Sequence, residues 1–232
     1  MKLLTLGLPC LALVFLSACS SVSVTAVKRK SGGFVEKPAK IYVADFSTAN
    51  ATFKIAGTEK KDPAAFKKKI ADMLATYVVQ SLTNHVAPAE RTTRETGLPP
   101  EGWLVTGEFL RLNTGSRWLR AGIGFGLGGT KIETRVSVID LSGNGQPFLN
   151  FVTTGGSNAM PGAVLSSTVY DATFSVVTQA MTGVTDDAAR TARMIAGELN
   201  NYMFRRHWLS ANKLYSVKKP GEFQLVHEQY LP

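Results

Sequence analysis

A run of alternating side chains dominates the centre of the chain. Residues 130–141 read TKIETRVSVIDL, in which every second residue from Ile132 to Val138 is apolar or a threonine. This period of two places one set of side chains on each face of a β-strand. The turn sequence SGNGQ follows, and residues 147–154, PFLNFVTT, provide a return strand. A chain with such a hairpin is expected to build a sheet, and one face of that sheet needs a cover.

Two segments have the helical spacing of apolar residues that can provide this cover. The first has Asp62 as its N-cap and Pro63 in its first turn, and it runs to about His85. The second is predicted to be capped by Thr185 or Asp186. Its apolar stripe consists of Ala188, Ala192, Ile195, Leu199 and Tyr202.

Further strands are predicted on both sides of the first helix. Residues 40–46 and 103–112 are rich in β-branched and aromatic side chains, and residues 52–55 form a shorter candidate. Residues 90–102 are expected to be loop, and residues 163–182 fit neither period clearly. The order of elements predicts an α/β fold (an α+β sandwich), with one small mixed or antiparallel sheet and two main helices packed on one face.

The N-terminus predicts export. The chain starts MKLLTLGLPCLALVFLSACSS, with an apolar run from Leu3 to Leu16 that is shorter than the roughly 20 residues of a membrane-spanning helix. Residues 16–19, LSAC, resemble the cleavage box of bacterial lipoproteins, in which the cysteine becomes the first residue and carries lipid chains such as palmitate. An ordinary signal peptide with a coincidental cysteine is the alternative.

The lipoprotein interpretation gives the protein a location. Ser20 after Cys19 is typical of the default route to the outer membrane, so we expect acylated Cys19 to anchor the chain in outer-membrane lipid on the periplasmic face. Cys10 lies in the segment to be removed, so no internal disulfide and no Cys metal site is expected. The predicted divisions are a signal peptide (1–18), a tether (19–38), a periplasmic α/β domain (39–209) and a C-terminal tail (210–232).

A glycine-rich segment precedes the central hairpin. Its residues 124–129 formally match G-x-G-x-x-G, a phosphate-binding turn that must lie between a strand and a helix. A strand follows here instead, so we predict no nucleotide and no other cofactor. A lipid-touching or subunit-touching hairpin tip, a mobile loop and a plain flexible connection all remain open. The candidate partner-binding residues are Arg117, Trp118, Arg120, Gly124, Gly126, Gly128 and Gly129.

The same stretch carries a resemblance to a known family. The tripeptide GSR at 115–117, Arg120, the glycine run and V-x-V-x-D at 136–140 resemble the bacterial lipoproteins grouped as domain of unknown function 4410. The fit extends over residues 37–206. The fold also looks similar to the periplasmic domain of the curli secretion channel lipoprotein and of lipoprotein activators of cell-wall synthases. The resemblance implies a location and a fold, and it brings no established activity.

The charges narrow the classes of partner. The chain has 26 Lys and Arg residues against 17 Asp and Glu residues. In the periplasm such an excess suits anionic headgroups, lipopolysaccharide or the cell wall, so no nucleic acid is expected as a partner. A basic excess that is merely spread over the surface is the simpler alternative.

The titratable residues narrow the chemistry. No G-x-S-x-G nucleophile motif occurs, and His85, His207 and His227 lack metal-ligand spacing. We therefore predict no catalytic residue, no metal and no enzyme. The expected function is a binding or accessory module for a protein or cell-wall partner in the envelope. The alternatives are a homo-oligomeric ring or secretion-channel subunit and an envelope hydrolase.

Overall fold

A computed structural model describes residues 22–30, 34–55, 60–93, 97–115, 130–155 and 182–215 of the chain. These residues form one open seven-stranded sheet and two long helices, which confirms the predicted α/β class. The strands are β1 (Val22–Arg29), β2 (Ile41–Ala44), β3 (Thr52–Lys54), β4 (Ala89–Thr92), β5 (Trp103–Asn113), β6 (Lys131–Asp140) and β7 (Pro147–Gly155). The helices are α1 (Pro63–His85) and α2 (Thr182–Arg205), and a 3-10 turn follows at Ala211–Lys213.

The sheet is mixed. Its strand order is β1-β7-β6-β5-β2-β4, and β3 also pairs with β5. The pairs β1–β7, β7–β6 and β6–β5 are antiparallel. The pairs β5–β2, β5–β3 and β2–β4 are parallel. Because Ile41 pairs with Trp103 and Lys54 pairs with Asn113, β2 and β3 follow one another along the same edge of β5. The helix α1 connects this edge to β4, which is the crossover that parallel strands require.

The strand β6 has the predicted alternation. Ile132, Val136 and Val138 are fully buried, whereas Lys131, Glu133, Arg135 and Ser137 on the other face are not. Thr134 is also fully buried, and its hydroxyl lies 2.7 Å from the hydroxyl of Thr153 on β7. Because the two hydroxyls bond to each other, both threonines are tolerated inside the core.

The helix α1 has the predicted start and end. The Asp62 carboxylate accepts a hydrogen bond from the backbone N–H of Ala65 at 2.9 Å, and Pro63 occupies the first helical position. This cap satisfies one of the N–H groups that a helix start leaves without an intrahelical partner. The side chains that α1 buries against the core are Phe66, Ile70, Ala71, Leu74, Ala75, Val78 and Leu82.

The helix α2 starts earlier than predicted. It begins at Thr182, and the proposed caps Thr185 and Asp186 lie inside its first turns. The neighbouring Asp187 is fully buried and bonds to Thr130, just before β6. An acidic pair near a helix start is ambiguous in sequence, because the same residues that cap helices also form tertiary contacts. The predicted apolar stripe of α2 is buried as expected.

Two segments predicted to lack regular structure are strands. The tether prediction is wrong for residues 22–29, because they form β1 and pair with β7. Alternating valines in VSVTAV are a strand signal that the surrounding Ser and Lys residues hid. The loop prediction is wrong for residues 89–92, which form β4. Its polar sequence, AERT, suits the edge position that β4 occupies.

The strand register gathers several element ends at one end of the sheet, which we call the basic end. The last residues of β3, β5 and β7 lie there beside the first residues of β6 and β1. The paired residues that link these strands are Lys54, Asn113, Lys131, Ile132, Gly155 and Val22.

Both helices begin at the basic end and run side by side in the same direction. The ammonium of Lys67, near the start of α1, lies 4.7 Å from the ring centroid of Phe53 in β3. Near the start of α2, Asp187 bonds to the residue before β6. At the other end, the Asn200 amide of α2 donates to the carbonyl of His85, the last residue of α1, at 2.6 Å. The positive ends of both helix dipoles therefore lie at the basic end.

The opposite end of the sheet, which we call the aromatic end, is closed by four rings. The centroid of Trp103 lies 4.9 Å from that of Phe148, 5.8 Å from that of Tyr202 and 6.1 Å from that of Trp208. Trp103 is fully buried, and its indole N–H donates to the carbonyl of Glu36 at 2.9 Å. Burial of several aromatic rings makes this end a large contributor to the stability of the fold.

Candidate functional site

The residues on either side of the predicted site lie at the basic end. The flanks of the glycine-rich segment, Gly115 and Thr130, continue the adjacent antiparallel strands β5 and β6. The partner-binding and lipidation assignments themselves stay predictions. The residues concerned lie outside the described part of the chain and are Cys19, Arg117, Trp118, Arg120, Gly124, Gly126, Gly128 and Gly129.

Hydrogen bonds to β3 and β5 hold the first flank. The N–H of Thr114 donates to the carbonyl of Lys54 at 3.0 Å, and the N–H of Gly115 donates to the side chain of Asn113 at 2.9 Å. Gly115 has a φ of 72°, a left-handed conformation that favours glycine. The local backbone conformation therefore favours glycine at the first position of the family-like tripeptide GSR.

A buried carboxylate holds the second flank. Asp187 accepts hydrogen bonds from the Thr130 hydroxyl and from the Arg190 guanidinium, the latter at 3.3 Å. Thr130 and Asp187 are both buried. A buried carboxylate is costly unless such bonds compensate for its lost hydration. The contact therefore fixes the start of β6 against α2 and gives the glycine-rich segment a firm base.

A dense group of lysines also lies at the basic end. Between Thr52 and Asp72 the chain has six lysines and three acidic residues. The lysines come from β3, from the residues before α1 and from the first turns of α1. Lys67 is half-buried over Phe53, and the other five are exposed. We call these six residues the lysine patch: Lys54, Lys60, Lys61, Lys67, Lys68 and Lys69.

An ion-pair network borders the lysine patch. Arg91 of β4 contacts the carboxylates of Asp45, at 2.6 Å, and Asp72, and Lys68 bonds to Asp72 at 2.9 Å. The hydrogen bonds from Arg91 and Lys68 hold the pKa of Asp72 below its ordinary value. Within the described ranges, Lys68 is the one member of the patch that forms an ion pair. The positive charge of the patch is therefore only partly compensated there.

Two titratable residues that the sequence raised as candidates are engaged in structural contacts. The ring of His85 stacks on that of Tyr215 with 4.1 Å between centroids, and burial lowers the pKa of His85. Asp140 accepts hydrogen bonds from the N–H of Glu36 at 3.0 Å and from the N–H and hydroxyl of Ser142. These bonds tie the segment before β2 to the turn after β6.

Glu198 is a third buried carboxylate among the described residues, besides Asp140 and Asp187. It forms an ion pair with Arg29 of β1, and burial raises its pKa although Arg29 opposes that shift. Across the described ranges, no three potential metal-ligating side chains come together. Neither α1 nor α2 is apolar enough over sufficient length to span a bilayer, and these are the long helices of the described residues.

Residues 41–174 match the protein family described as Domain of unknown function (DUF4410), over more than half of the chain. The chain belongs to the DUF4410 family. The resemblance predicted from the glycine-rich stretch is thereby confirmed. The matched region runs from β2 through β7 and includes the candidate partner-binding residues, whereas β1 and α2 lie outside it.

No curated protein matches this DUF4410 chain. Among solved structures, it is similar to the PelC dodecamer from Paraburkholderia phytofirmans, with 12% identity, coverage of 73% of this chain and 97% of that chain, and a TM-score of 0.39. A dodecamer of a PelC variant from the same organism gives 12% identity, coverage of 75% and 98%, and a TM-score of 0.38. Neither structure is the curli channel domain expected from the sequence.

Proposed function

We propose that this DUF4410 protein is a non-enzymatic outer-membrane lipoprotein whose periplasmic domain binds or assists an envelope partner. The observation that carries the proposal is the position of Cys19. It ends a sequence typical of a lipoprotein signal and stands three residues before Val22, the first residue of β1. Because β1 starts at the basic end, an acylated Cys19 would be attached next to the flanks of the glycine-rich segment.

The binding surface in this proposal is the segment between β5 and β6. Arg117 and Arg120 are suited to carboxylates or phosphates, because guanidinium groups form paired hydrogen bonds with both. Trp118 is suited to an anchoring contact at a protein interface. Hydrogen bonds hold Thr114 and Thr130, which lie on the two sides of this segment.

The anchoring is tested in cells with Cys19→Ala. We expect the wild-type protein in the outer-membrane fraction with the mass of its acyl chains, and the variant in the soluble periplasmic fraction. Cys10→Ala is the matched control and should leave both fractionation and mass unchanged. A wild-type mass without acyl chains, together with membrane retention of Cys19→Ala, would falsify the anchoring.

Partner binding is tested by crosslinking in intact cells. The double variant Arg117→Ala/Arg120→Ala should lose crosslinked species that the wild type forms. Arg193→Ala/Arg206→Ala changes the charge equally at exposed positions on α2 and the residues after it, and it should keep those species. Undiminished crosslinking of the first variant would remove the glycine-rich segment as the binding surface.

A second candidate function is a subunit of an oligomeric ring or secretion channel. The supporting observation is the open sheet, in which β1 and β4 are edge strands among the described residues. Edge strands can pair with another chain through their outer backbone groups. Light scattering of the detergent-extracted protein decides: a discrete multimer of many subunits favours this candidate, and a monomer or dimer rejects a self-assembled ring.

A further inference from the structure

We infer that the lysine patch is a docking surface for the phosphate groups of anionic lipids and holds the basic end of the domain against the membrane. The inference rests on the proposed acylation of Cys19 for its geometry. It adds an orientation of the domain and a lipid class to that proposal.

The first step is the length of chain outside the fold. The β1 pairing with β7 already includes Val22, which lies opposite Gly155 at the basic end. Two residues, Ser20 and Ser21, separate Cys19 from Val22. Even a fully extended chain spans only about 3.5 Å per residue, so the three steps from Cys19 to Val22 reach about 10 Å. An acylated Cys19 therefore keeps the basic end close to the lipid surface instead of letting the domain hang on a long tether.

The second step is the charge that this geometry brings to the membrane. The lysine patch lies on β3 and the start of α1, which share the basic end with Val22. Both helix dipoles also direct their positive ends there. Salt screens charges over about 8 Å at physiological ionic strength, a distance comparable with the reach of the link. Charges at the basic end can therefore act on headgroups, whereas those at the aromatic end cannot.

The third step is the electrostatic repulsion that the lysines experience within the domain. Lys60 and Lys61 stand just before the N-cap Asp62, whose carboxylate is the capping group, and the first turn of α1 itself contains no acidic residue. Positive side chains near the positive end of a helix dipole are unfavourable, and neighbouring lysines repel one another. An anionic surface offsets both the repulsion from the helix dipole and the repulsion between the lysines. It is therefore a better counterpart for this patch than solvent.

Side-chain contacts divide the lysine patch into engaged and unengaged lysines. Lys67 lies over the ring of Phe53, which keeps its ammonium beside β3. Lys68 contacts Asp72, on the side of the Arg91 network. The residues before α1 and the last residue of β3 are exposed without such contacts among the described residues, so these lysines are the ones to probe.

The experiment uses the full-length protein extracted from membranes, with its intact mass measured first. It is reconstituted in vesicles of phosphatidylcholine, with or without phosphatidylglycerol, and reacted with an amine-labelling reagent. Mass spectrometry then compares two sets of exposed lysines. The near set, at the basic end, is Lys54, Lys60 and Lys61, and the far set, at the aromatic end, is Lys30, Lys37 and Lys213.

We expect labelling of the near set to slow about fivefold on the anionic vesicles, the factor for about 1 kcal/mol of attraction per lysine near an anionic surface. Added salt should reverse the effect, and labelling of the far set should not change. Equal labelling of both sets on both vesicles, in protein shown to be acylated, overturns the inference while leaving the anchoring intact. A mass without acyl chains instead removes the anchoring on which the geometry rests.

A pair of variants separates the lysine patch from general basicity. Replacement of the near set by glutamine should abolish the slower labelling of Lys67 and Lys69 on anionic vesicles. Replacement of the far set by glutamine makes the same change in charge and should leave that slower labelling in place. Isolated cell-wall polymer is tested in the same labelling reaction. If it slows labelling of the near set and phosphatidylglycerol does not, the patch belongs to the cell wall and the lipid assignment is overturned.

Discussion

The two ends of the molecule are built in opposite ways. At the aromatic end, Trp103 contacts three other rings and donates to the carbonyl of Glu36. At the basic end, exposed lysines lie at the end of β3, before α1 and in its first turns. Buried rings contribute much to stability, and exposed charges contribute little. The buried rings of the aromatic end therefore contribute strongly to the stability of the fold. The exposed lysines of the basic end contribute little to stability and are available for contacts with other molecules.

The largest expected effect comes from Trp103→Ala. This change removes a fully buried indole together with its ring contacts and its hydrogen bond. The free energy of unfolding should fall by about 3–5 kcal/mol, measured by denaturant titration. Lys60→Ala at the basic end should change it by less than about 0.5 kcal/mol. Similar losses in the two variants would contradict the contrast between the ends.

A smaller effect is expected at the buried contact between Asp187 and Thr130 at the basic end. Asp187→Asn weakens the bonds to Thr130 and Arg190 and should cost about 2 kcal/mol of unfolding free energy. A double-mutant cycle with Thr130→Val should give a coupling of about 1 kcal/mol. A loss larger than that of Trp103→Ala would reverse the comparison, and zero coupling would show that the two side chains do not act together.

The smallest effect is a dependence of stability on pH, with opposite signs at two carboxylates. Burial raises the pKa of Glu198, so its contribution falls as the pH rises from the ordinary glutamate value to the raised one. Hydrogen bonds from Arg91 and Lys68 lower the pKa of Asp72, so its contribution is complete above the ordinary aspartate value. That contribution is lost as the pH falls through the lowered pKa.

Thermal midpoints across the acid range measure both carboxylates. Glu198→Gln should remove the decline in stability with rising pH, and Asp72→Asn should remove part of the loss at low pH. Each variant serves as the control for the other, because Glu198 is nearly buried beside Arg29 and Asp72 is partly exposed. A pH profile that neither substitution alters would show that other groups govern the titration.

The elements with strong local signals could be predicted from the sequence. Asp62 and Pro63 specify the start of α1 whatever surrounds it, and the alternation in residues 131–140 specifies β6. The strand β1 has only a weak signal, the alternating valines of VSVTAV, and its formation depends on pairing with β7, far away in the chain. The true start of α2 was also missed, since Asp187 serves a tertiary contact with Thr130.

The candidate site was visible in the sequence, whereas the lysine patch was not. The glycine-rich segment is conspicuous in sequence, and the DUF4410 match includes it. The lysines were not predicted as a site, although a count of charges between residues 52 and 72 reveals their density. Their common location became visible only when β3, the residues before α1 and the first residue of β1 proved to share one end of the sheet.

The pairing of β1 also sets an order of events in time. Thr25 bonds to Val152, 127 residues later in the chain. A chain that is exported from its N-terminus cannot form this pair until β7 has crossed the membrane, and such non-local contacts form slowly. During that interval residues 22–29 have no strand to pair with. The proposed processing at Cys19 therefore has its best access early, before the sheet closes beside it.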